Sequence, residues 1–445
     1  MSGLCTDLYE VRMAASYLRR GMVGPATFSL FVRRLPAQRG FLVAAGLAEV
    51  LEFFESFRFE RDEIEYLRQA AVLDERSLAA LRDMVFTGDV WAVPEGRLVF
   101  GDEPLLEVTA PIAQAQLVET VALNAVTFGT AVASKAARCR LAAPHSELID
   151  FAFRRTHGLD AAATVARSSA IAGFAATSNL AAARRYGLSP SGTMAHSYIE
   201  AFPDERSAFR AFAADYPENP VFLVDTYDTT AGVRAAVDIA AELGLADRLG
   251  IRLDSGDLAA LSCQARQILD AAGLHKASIV ASGGLDEHAV AALVARGAPI
   301  DAYGIGTRMG VSADAPSLDS AYKLVEYGNR PVMKLSTGKV TWPGAKQVYR
   351  HPAAGEGDLL ALRGEPAPPG GERLLLPVML GGRRTEHAGP AVELRAARDR
   401  CDTDLARLPE TARRLTDPVP VPVRATPSLH ALRTRLTGQL RAALR

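Results

Sequence analysis

The segment that decides the fold is GIRLDSGDLAALSCQARQILDAAGLHKASIVASGGLDE, residues 250–287. It begins with a short apolar run, continues with a stretch of helical composition, and ends with a second short apolar run. Both apolar runs are followed by Ser, Gly or Asp. Because strands joined by a helix pair in parallel through a right-handed crossover, this segment predicts one unit of a parallel α/β sheet.

The same alternation of strand and helix extends on both sides of this segment. Short runs with the composition of strands occur at LIDFAF (148–153), GTMAHSYIEAF (192–202), VFLVDTYD (221–228) and IDAYGIGT (300–307). Helical stretches such as TAGVRAAVDIAAELG (230–244) separate them. No G-x-G-x-x-G motif follows the first strand, so the repetition favours a closed or distorted (β/α) barrel over a Rossmann sheet.

The flanking regions predict a second type of architecture. Helical spacing from Asp7 to about Arg20, a strand at ATFSLFVRRLP (26–36) and a helix at RGFLVAAGLAEVLEFFESF (39–57) indicate an N-terminal α+β domain over residues 1–110. Residues 111–330 are predicted to form the barrel. Residues 331–445 are predicted to form a small C-terminal accessory region that packs back on the N-terminal domain.

Composition narrows the classes of partner and compartment. The 445 residues carry a formal net charge of -1, which gives no broad electrostatic reason to expect nucleic acid or an anionic membrane as partner. The four cysteines are far apart and lack CxxC spacing, which predicts reduced thiols. The first residues do not resemble a signal peptide, and no uncharged apolar run reaches about 18 residues. We therefore expect a cytoplasmic protein.

Charged residues follow the predicted strands at the edge where parallel sheets bind ligands. In GIRLDSGD, alternation places Arg252 and Asp254 on one face of the strand, and Asp257 is predicted to cap the next helix. Asp254 is suited to hold a ring nitrogen, a ribose hydroxyl or a magnesium-bound water. The alternative is an ion pair that only closes the strand end.

The segment VFLVDTYDTTAG (221–232) has some features of the phosphoribosyl pyrophosphate loop of type I phosphoribosyltransferases. That loop carries two adjacent acids. Here Thr226 and Tyr227 separate Asp225 from Asp228, which disfavours the type I interpretation.

Two glycine-containing turns follow consecutive predicted strands. Such turns let a phosphate approach the backbone N–H groups, and two in succession are typical of the phosphate site in the last strands of a barrel. An ordinary strand-end turn is the alternative for each. The residues concerned are Ser282, Gly283 and Gly284 in the first turn and Gly304, Gly306 and Thr307 in the second.

His196, in GTMAHSYIE, is open to three interpretations: a packed histidine, a metal ligand or a catalytic group. No second His or Cys stands at metal-ligand spacing, so zinc is disfavoured. Arg154, in DFAFRRTHG, suits contact with a carboxylate or phosphate, or belongs to a surface arginine pair. Ser178 lies in ATSNLAA, which has the composition of a helix N-terminus.

Taken together, these segments resemble the nicotinate phosphoribosyltransferases. The matching phrases occur in family order from near residue 6 to past residue 350, and the tail with LLLPVMLGG also matches. They are TDLYEV, FRRLPAQRGFLVAAGL, FAFRRTHG, ATSNLAAARRYG, GTMAHSYIEAF, LVDTYDT, IRLDSGDL, ASGGLDE, GIGTRMGVSADAPSLDSAYKLVEY and KLSTGKVTWPGAKQVYR.

The resemblance implies the reaction of nicotinate with phosphoribosyl pyrophosphate to give nicotinate mononucleotide and pyrophosphate in NAD biosynthesis, coupled to ATP hydrolysis. It implies an α/β fold of the type II phosphoribosyltransferase kind, an incomplete (β/α) barrel with an α+β N-terminal domain. It also implies Mg2+, ATP as co-substrate and a homodimer whose active sites lie between subunits.

The resemblance also implies roles for individual residues. The family histidine that ATP phosphorylates matches His196, and the aromatic sandwich on the pyridine ring matches Phe151 and the partner's Tyr9. Positions that hold the substrate's carboxylate or the product's phosphate match Arg154, Arg252, Ser282, Gly283, Gly284, Gly304, Gly306 and Thr307. The basic residues that meet pyrophosphate or nucleotide phosphates from the neighbouring chain match Arg34, Lys323 and Lys334.

Chemistry adds expectations for the acids. Displacement of pyrophosphate builds positive charge on the ribose, which Asp225 and Asp254 can stabilise directly or through Mg2+. Asp225 is also the candidate to hold the second imidazole nitrogen of His196. The alternatives are a nicotinamide phosphoribosyltransferase, a quinolinate phosphoribosyltransferase and a barrel that has lost catalysis. Ser178 matches the position where an acid would favour an amide substrate, and its neutral side chain favours nicotinate.

Overall fold

The computed structural model describes residues 2–336, 341–351 and 356–444. The chain divides into two compact units, one formed by Met1–Ser134 with Ala315–Arg445 and the other by Lys135–Asp314. The domain limits at residues 110 and 330 stay predictions. Residues 337–340 of the matching phrase KLSTGKVTWPGAKQVYR and residues 352–355 lie outside the described part of the chain.

The N-terminal part of the first unit combines helices with antiparallel strands. Its elements are α1 Leu8–Arg19, β1 Pro25–Val32, β2 Leu42–Val43, α2 Leu47–Ser56, α3 Arg61–Gln69, α4 Glu75–Arg82, β3 Asp89–Ala92, β4 Leu98–Val99, β5 Pro104–Pro111, α5 Ile112–Leu117 and α6 Glu119–Ala142. Helix α1 and strand β1 confirm two of the sequence predictions for this region.

The helix predicted over residues 39–57 is wrong in its first half. Leu42 and Val43 form β2, which pairs with β4, and the helix begins only at Leu47. Gly46 lies at φ 91, and a Cβ there would come 2.2 Å from the carbonyl oxygen of Ala125. The Gly46 and Leu47 N–H groups donate to Glu95 Oε1 at 2.8 and 2.9 Å. The helix therefore begins at a left-handed glycine and is capped by a carboxylate that is distant in sequence. Composition alone shows neither feature.

The second unit is an α/β structure built on one parallel sheet. Its elements are β6 Glu147–Asp150, η1 Phe153–Arg155, α7 Leu159–Ile171, β7 Ala176–Thr177, α8 Leu180–Tyr186, β8 Ser189–Pro190, α9 His196–Glu200, α10 Glu205–Asp215, β9 Val221–Leu223, α11 Thr229–Leu243, β10 Gly250–Leu253, α12 Leu258–Ala271, β11 Ser278–Ala281, α13 Glu287–Ala295, β12 Ala302–Ile305 and α14 Thr307–Gly310. All of its paired strands run in parallel, which confirms the fold class predicted from residues 250–287.

The order of the strands shows how the barrel stays incomplete. The seven strands lie in the order β8-β7-β6-β12-β11-β10-β9, so β8 and β9 are the two edges. The sheet curls into a half-barrel. Because its parallel strands all point one way, the loops that follow them lie at one edge of the sheet.

The segment 192–202 is not the strand that its sequence predicted. Strand β8 ends at Pro190, at the edge of the sheet, and His196 is the first residue of the short helix α9. Ile199 in α9 is fully buried and anchors this helix. Apolar composition alone did not distinguish a short buried helix from a strand in this run.

The C-terminal part of the first unit is mainly antiparallel. Its elements are β13 Ser320–Tyr327, β14 Arg330–Pro331, β15 Lys346–Arg350, β16 Asp358–Leu362, β17 Glu372–Arg373, β18 Leu376–Leu380, β19 Arg383–Arg384, α15 Ala388–Val392, α16 Leu394–Arg407, α17 Glu410–Arg413, β20 Val423–Ala425 and α18 Pro427–Ala443. Strands from both ends of the chain join in one sheet of order β14-β13-β1-β5-β3-β18-β19, and β17-β15-β16-β20 form a second.

A buried charge network ties the two ends of the chain together within the first unit. Arg97 Nε contacts Asp404 Oδ2 at 2.9 Å, and Arg350 Nη1 contacts the same oxygen at 2.7 Å. Arg350 Nη2 also contacts Asp358 Oδ2 at 2.7 Å. Shared partners of this kind fix the position of the C-terminal strands relative to β4, because removing one leaves the others buried and uncompensated.

Two further observations concern the whole chain. Cys5, Cys139, Cys263 and Cys401 are all free thiols, as their spacing predicted. Within the described residues, no helix is both long and apolar enough to span a bilayer.

Candidate active site

Strands β9, β10 and β11 bring three polar groups to one edge of the sheet. The register aligns Leu223 with Arg252 and Leu253 with Ala281, so Asp225, Asp254 and Ser282 all follow their strands at nearly the same level. Parallel pairing therefore collects side chains that are about 30 residues apart in sequence.

Arg252 is the centre of this group. Its Nε donates to Ser282 Oγ at 2.7 Å and its Nη2 to Asp254 Oδ1 at 2.6 Å. Its Nη1 donates to Thr193 Oγ1 at 3.0 Å and to the Met194 carbonyl oxygen at 3.2 Å. Arg252 and Asp254 therefore form the pair on one face of the strand that alternation predicted. Thr193 has no sequence signal that could have identified it, because its contact depends on tertiary structure.

Asp254 is an ionised carboxylate in this setting. Burial opposes its ionisation, but hydrogen bonds from Ser282 and Arg252, together with the Arg252 charge, hold the pKa of Asp254 below its usual range. The charge of His196 also lowers the pKa of Asp254. Ser282, which is buried, both accepts from Arg252 and donates to Asp254. Ser282 matches a family position that holds the substrate's carboxylate or the product's phosphate, and here its hydroxyl is used within the protein.

His196 lies near these groups and is half-buried. Its Nδ1 is 3.1 Å from Thr226 Oγ1. Asp225, which the sequence suggested for this contact, instead accepts from the Asp254 N–H at 3.0 Å and from the Ser255 hydroxyl, both on Oδ2. Asp225 Oδ1 is inaccessible and has no hydrogen-bond partner among the described residues. Thr226 is therefore the side chain that orients the imidazole.

Glu205 is an acid near the site that the sequence did not identify. Burial, with the charges of Asp225 and Asp228, raises the pKa of Glu205 to about 7. Its Oε1 is buried without a partner among the described residues. In sequence, Glu205 follows the helix cap Asp204 and resembles an ordinary first-turn glutamate, so only tertiary proximity reveals its environment.

Phe151 follows β6 and packs beside Arg252. The guanidinium carbon of Arg252 is 5.6 Å from the centre of the Phe151 ring. A Cβ on Gly304 would come 2.4 Å from this ring, so Gly304 leaves room for the aromatic side chain. The structure thus gives Gly304 a steric reason to be glycine that is independent of phosphate binding.

The two predicted phosphate turns differ in detail. Gly283 lies at φ 93, and a Cβ there would come 1.9 Å from the Asp254 carbonyl oxygen. Gly284 lies at φ 64 with no atom within 4 Å of the Cβ position. Gly306 precedes the four-residue helix α14, and Thr307 is exposed. Open space at Gly284 and exposure at Thr307 leave room for a ligand.

Asp150 organises the loops that carry Ser178 and Arg154. It is buried, and its carboxylate accepts from the Thr177 hydroxyl at 2.7 Å and from the Ala152 N–H at 2.8 Å. Burial raises the pKa of Asp150, although both hydrogen bonds oppose the rise. The Ser178 N–H donates to the Asp150 carbonyl oxygen, whereas Arg154 is exposed in η1.

The remaining predicted residues belong to the first unit. Tyr9 in α1 is 48% exposed, and the negative charges of Glu119 and Glu10 act on its hydroxyl. Burial, with these two negative charges, raises the pKa of Tyr9 well above its usual value. The Lys323 charge acts on Glu119. Arg34 and Lys334 are exposed. Glu119 is a further group for which the sequence gave no signal.

No described set of three or more His, Cys, Asp or Glu side chains is arranged to enclose a metal ion. The partnerless Asp225 Oδ1 is nevertheless an oxygen of the kind that coordinates Mg2+ or accepts a hydrogen bond from one of its waters. Such a site fits a cation that keeps several waters and is shared with a polyanionic substrate.

Comparison with known families gives matches over most of the chain. A family model described as the nicotinate phosphoribosyltransferase N-terminal domain matches residues 4–127, and one described as the nicotinate phosphoribosyltransferase family matches residues 146–336. A nicotinate phosphoribosyltransferase of Mycobacterium tuberculosis is 47% identical over 447 residues, which covers 99% of this chain and 96% of the relative. The nicotinate phosphoribosyltransferase of Bacillus subtilis is 44% identical over 81% of this chain and 76% of its own length.

Solved structures give the same result for the fold. The crystal structure of human nicotinic acid phosphoribosyltransferase superposes with a TM-score of 0.85 at 30% identity and covers 97% of this chain and 99% of the human chain. The nicotinate-nucleotide pyrophosphorylase of Pyrococcus furiosus superposes with a TM-score of 0.74 at 23% identity, covering 91% and 95% of the two chains. The latter similarity supports the fold alone.

Proposed function

Because this chain belongs to the nicotinate phosphoribosyltransferase family, we propose that it performs the family reaction at the strand ends around Arg252, Asp254 and His196. The reaction joins nicotinate to phosphoribosyl pyrophosphate, releases pyrophosphate and consumes ATP. The chain is thus an enzyme of NAD biosynthesis. Different side chains at the strand ends are suited to its separate steps.

One observation carries the assignment. Arg252, Asp254 and Ser282 form a closed ring of hydrogen bonds beside the face of Phe151. A cation, an ionised carboxylate and an aromatic ring stand together, as a planar carboxylate-bearing acceptor and a ribosyl cation require.

Arg252 and Phe151 bind and orient nicotinate in this assignment. The guanidinium attracts the carboxylate of nicotinate, and the Phe151 ring stacks on the pyridine ring. Ser178, which is neutral, leaves the carboxylate unopposed. A nicotinamide enzyme gains from an acid at this position, whereas an acid here repels nicotinate.

Asp254 faces the ribose. As the bond from C1 to pyrophosphate lengthens, positive charge develops on the sugar, and a fixed carboxylate stabilises that charge more than it stabilises the ground state. The low pKa of Asp254 keeps it ionised at neutral pH. The turns at Gly284 and Gly306–Thr307 supply backbone N–H groups for the phosphate of the ribosyl group.

His196 is assigned the coupling to ATP. An imidazole nitrogen attacks the terminal phosphorus of ATP, ADP leaves, and the phosphohistidine is hydrolysed later in the cycle. The Thr226 hydroxyl holds the ring through Nδ1. The added negative charge near the pyrophosphate site orders that site, so the coupling is proposed to tighten donor binding more than it accelerates glycosyl transfer.

Mg2+ is part of the proposal. When bound, it supplies positive charge that neutralises the departing pyrophosphate. Asp225, through its partnerless Oδ1, and Asp254 are the residues that would hold it or its waters. Lysine and arginine side chains provide the remaining positive charge.

A homodimer completes the site in this proposal. Tyr9, Arg34, Lys323 and Lys334 lie in the first unit, and each is assigned to the active site of the neighbouring subunit. Tyr9 is 48% exposed, which suits an aromatic ring presented to a partner subunit. A cytoplasmic location is also proposed, in keeping with four free thiols.

A turnover assay tests the proposed function. Purified protein is incubated with phosphoribosyl pyrophosphate and Mg2+, with or without ATP, and with nicotinate, nicotinamide or quinolinate. We expect the mononucleotide of nicotinate to form fastest and ATP to be consumed with it. Preferential use of nicotinamide or quinolinate, or no turnover of any of the three, would contradict the proposal. Mass spectrometry under neutral or alkaline conditions locates phosphate on His196.

A further inference from the structure

Arg252 has more protein partners than a substrate-binding arginine needs. A guanidinium carries five N–H groups. Ser282, Asp254, Thr193 and the Met194 carbonyl accept four of them. Among the described contacts, a single N–H on Nη2 is therefore left for a ligand.

A carboxylate binds arginine best through two parallel hydrogen bonds. The edge formed by Nε and Nη2 is taken by Ser282 and Asp254. The other edge offers the free N–H of Nη2 and an N–H of Nη1. Nη1 donates to Thr193 at 3.0 Å and to the Met194 carbonyl at 3.2 Å. A bidentate carboxylate on this edge therefore competes with one of these two acceptors.

Thr193 and Met194 belong to the segment that leads to His196. The segment Ser191–Ala195 is neither helix nor strand, and His196 follows it directly. Arg252, at the end of β10, contacts this segment through both of its Nη1 bonds. The group assigned to the acceptor's carboxylate is thus hydrogen-bonded to the segment that presents the group assigned to ATP.

We infer that Thr193 is a positioning residue that couples acceptor binding to the ATP step. Its hydroxyl ties the His196 segment to Arg252, and the carboxylate of nicotinate competes with that hydroxyl for Nη1. Occupation of Arg252 by nicotinate then changes the constraint on His196. The inference rests on the proposed function, because it requires nicotinate at Arg252 and phosphoryl transfer to His196.

Thermodynamic linkage gives this coupling a measurable form. If nicotinate changes the affinity for ATP by some factor, ATP changes the affinity for nicotinate by the same factor. A hydrogen bond to a charged group corresponds to about a tenfold change in an equilibrium constant. Removing the Thr193 hydroxyl should therefore tighten the binding of nicotinate and weaken the effect of nicotinate on the affinity for ATP.

The test compares Thr193→Val, which keeps the shape and removes the hydroxyl, with Thr193→Ser, which keeps the hydroxyl. Thr193→Ala replaces the valine variant if that one does not fold, as judged by its thermal unfolding. Thr403→Val, which removes a hydroxyl bonded to the Asp399 carbonyl at an exposed position of α16, is the matched control. The Kd of a non-hydrolysable ATP analogue is measured with and without nicotinate, and the KM of nicotinate is measured beside it.

The ratio of the two Kd values, with and without nicotinate, measures the coupling. We expect this ratio to differ from one in the wild type, Thr193→Ser and Thr403→Val. In Thr193→Val we expect it to fall to within about twofold of one, with the KM of nicotinate lowered up to about tenfold. A wild-type ratio of one, or an unchanged ratio in Thr193→Val, overturns the inference. The inference is also overturned if Thr193→Val lowers kcat and thermal stability but leaves the Kd ratio and the KM of nicotinate unchanged, because Thr193 would then have a purely structural role. Failure of the proposed function is read separately, as absence of nicotinate mononucleotide from the wild-type reaction.

Discussion

At the residue scale, the site depends on how each side chain is held as much as on which side chain is present. Asp254 and Asp225 are both acids that follow strands, yet Asp254 is held by Arg252 and Ser282 while Asp225 keeps one oxygen without a partner. The first is suited to stabilise charge on the sugar. The second is suited to receive a cation or its water.

Replacing His196 with alanine should separate ATP hydrolysis from glycosyl transfer. We expect ATP hydrolysis to be lost and the KM of phosphoribosyl pyrophosphate to rise about tenfold or more, because an ordered donor site is no longer formed. Nicotinate mononucleotide should still form without ATP at saturating donor, because Arg252 and Asp254 remain. Steady-state kinetics with and without ATP measure both effects.

The exposed His145 gives a matched control, because His145→Ala removes an imidazole from the same unit away from the described site contacts. If His196→Ala formed no product at any donor concentration without ATP, histidine phosphorylation would be required for glycosyl transfer itself. The proposed division of labour would then be wrong.

Ser178 is the position at which specificity is tested. In Ser178→Asp, a carboxylate meets the carboxylate of nicotinate, and like charges a few ångströms apart repel by roughly 2–4 kcal/mol at an effective dielectric constant near 20. We expect kcat/KM for nicotinate to fall about 100-fold, with nicotinamide favoured relative to it. Ser178→Asn is the neutral control of similar size, and an equal loss in both variants would show that size rather than charge causes it.

At the element scale, the turn after β11 links backbone geometry to the site. Gly283 is left-handed, and its Cα faces the Asp254 carbonyl oxygen after β10. Gly284, the next residue, is also left-handed but faces open space. The two glycines thus separate the cost of a left-handed backbone from the cost of a steric clash.

We expect Gly283→Ala to lower the free energy of unfolding by about 2–4 kcal/mol, because the new Cβ must displace the Asp254 backbone. Gly284→Ala should cost only about 1–2 kcal/mol, since it adds left-handed strain without a clash. Urea unfolding of the two variants and the wild type measures the difference. Equal destabilisation by the two substitutions would show that the Asp254 backbone moves at little cost and that its position does not depend on this turn.

At the scale of the whole molecule, two buried glutamates in the first unit should give stability opposite dependences on pH. Burial, strengthened by Asp358, raises the pKa of Glu103, which is fully buried. Burial also opposes ionisation of Glu107, but Lys346 and Arg363 outweigh it and lower the pKa of Glu107. The unfolded value for both is about 4.3.

For Glu103, the unfolded chain releases its proton at lower pH than the folded chain does. The contribution of Glu103 to the free energy of unfolding is therefore complete below about pH 4.3. It is lost as pH rises toward the pKa of Glu103 in the folded chain. We expect Glu103→Gln, which stays neutral, to gain stability relative to the wild type between about pH 4 and pH 8. Chemical unfolding across this range measures the trend, and a difference independent of pH would contradict it.

Glu107→Gln is the matched comparison with the opposite sign. Because the folded pKa of Glu107 is lowered, its contribution is present above about pH 4.3 and is lost as pH falls through the folded pKa. The variant should therefore be less stable than the wild type at pH 7, by about 3–5 kcal/mol for a broken buried ion pair, and the difference should shrink in acid.

The sequence by itself determined the parallel sheet, the family and the position of the charged residues at the strand ends. Strand periodicity is local, and a residue that follows a parallel strand must lie at one edge of the sheet. The pair formed by Arg252 and Asp254 follows from alternation along a single strand. The strands and this pair depend only on residues close in sequence, and the family rests on ordered phrases along the chain, so all of these could be predicted.

The tertiary structure alone decided which side chains contact each other across strands. Thr193 reaches Arg252 across 59 residues, Thr226 rather than Asp225 meets His196 across 30, and Ser282 closes the ring with Asp254 across 28. The helix that presents His196 was predicted as a strand, because an apolar run at a sheet edge has no local signal for its partners. Distances between distant segments depend on packing, and packing is a property of the whole fold.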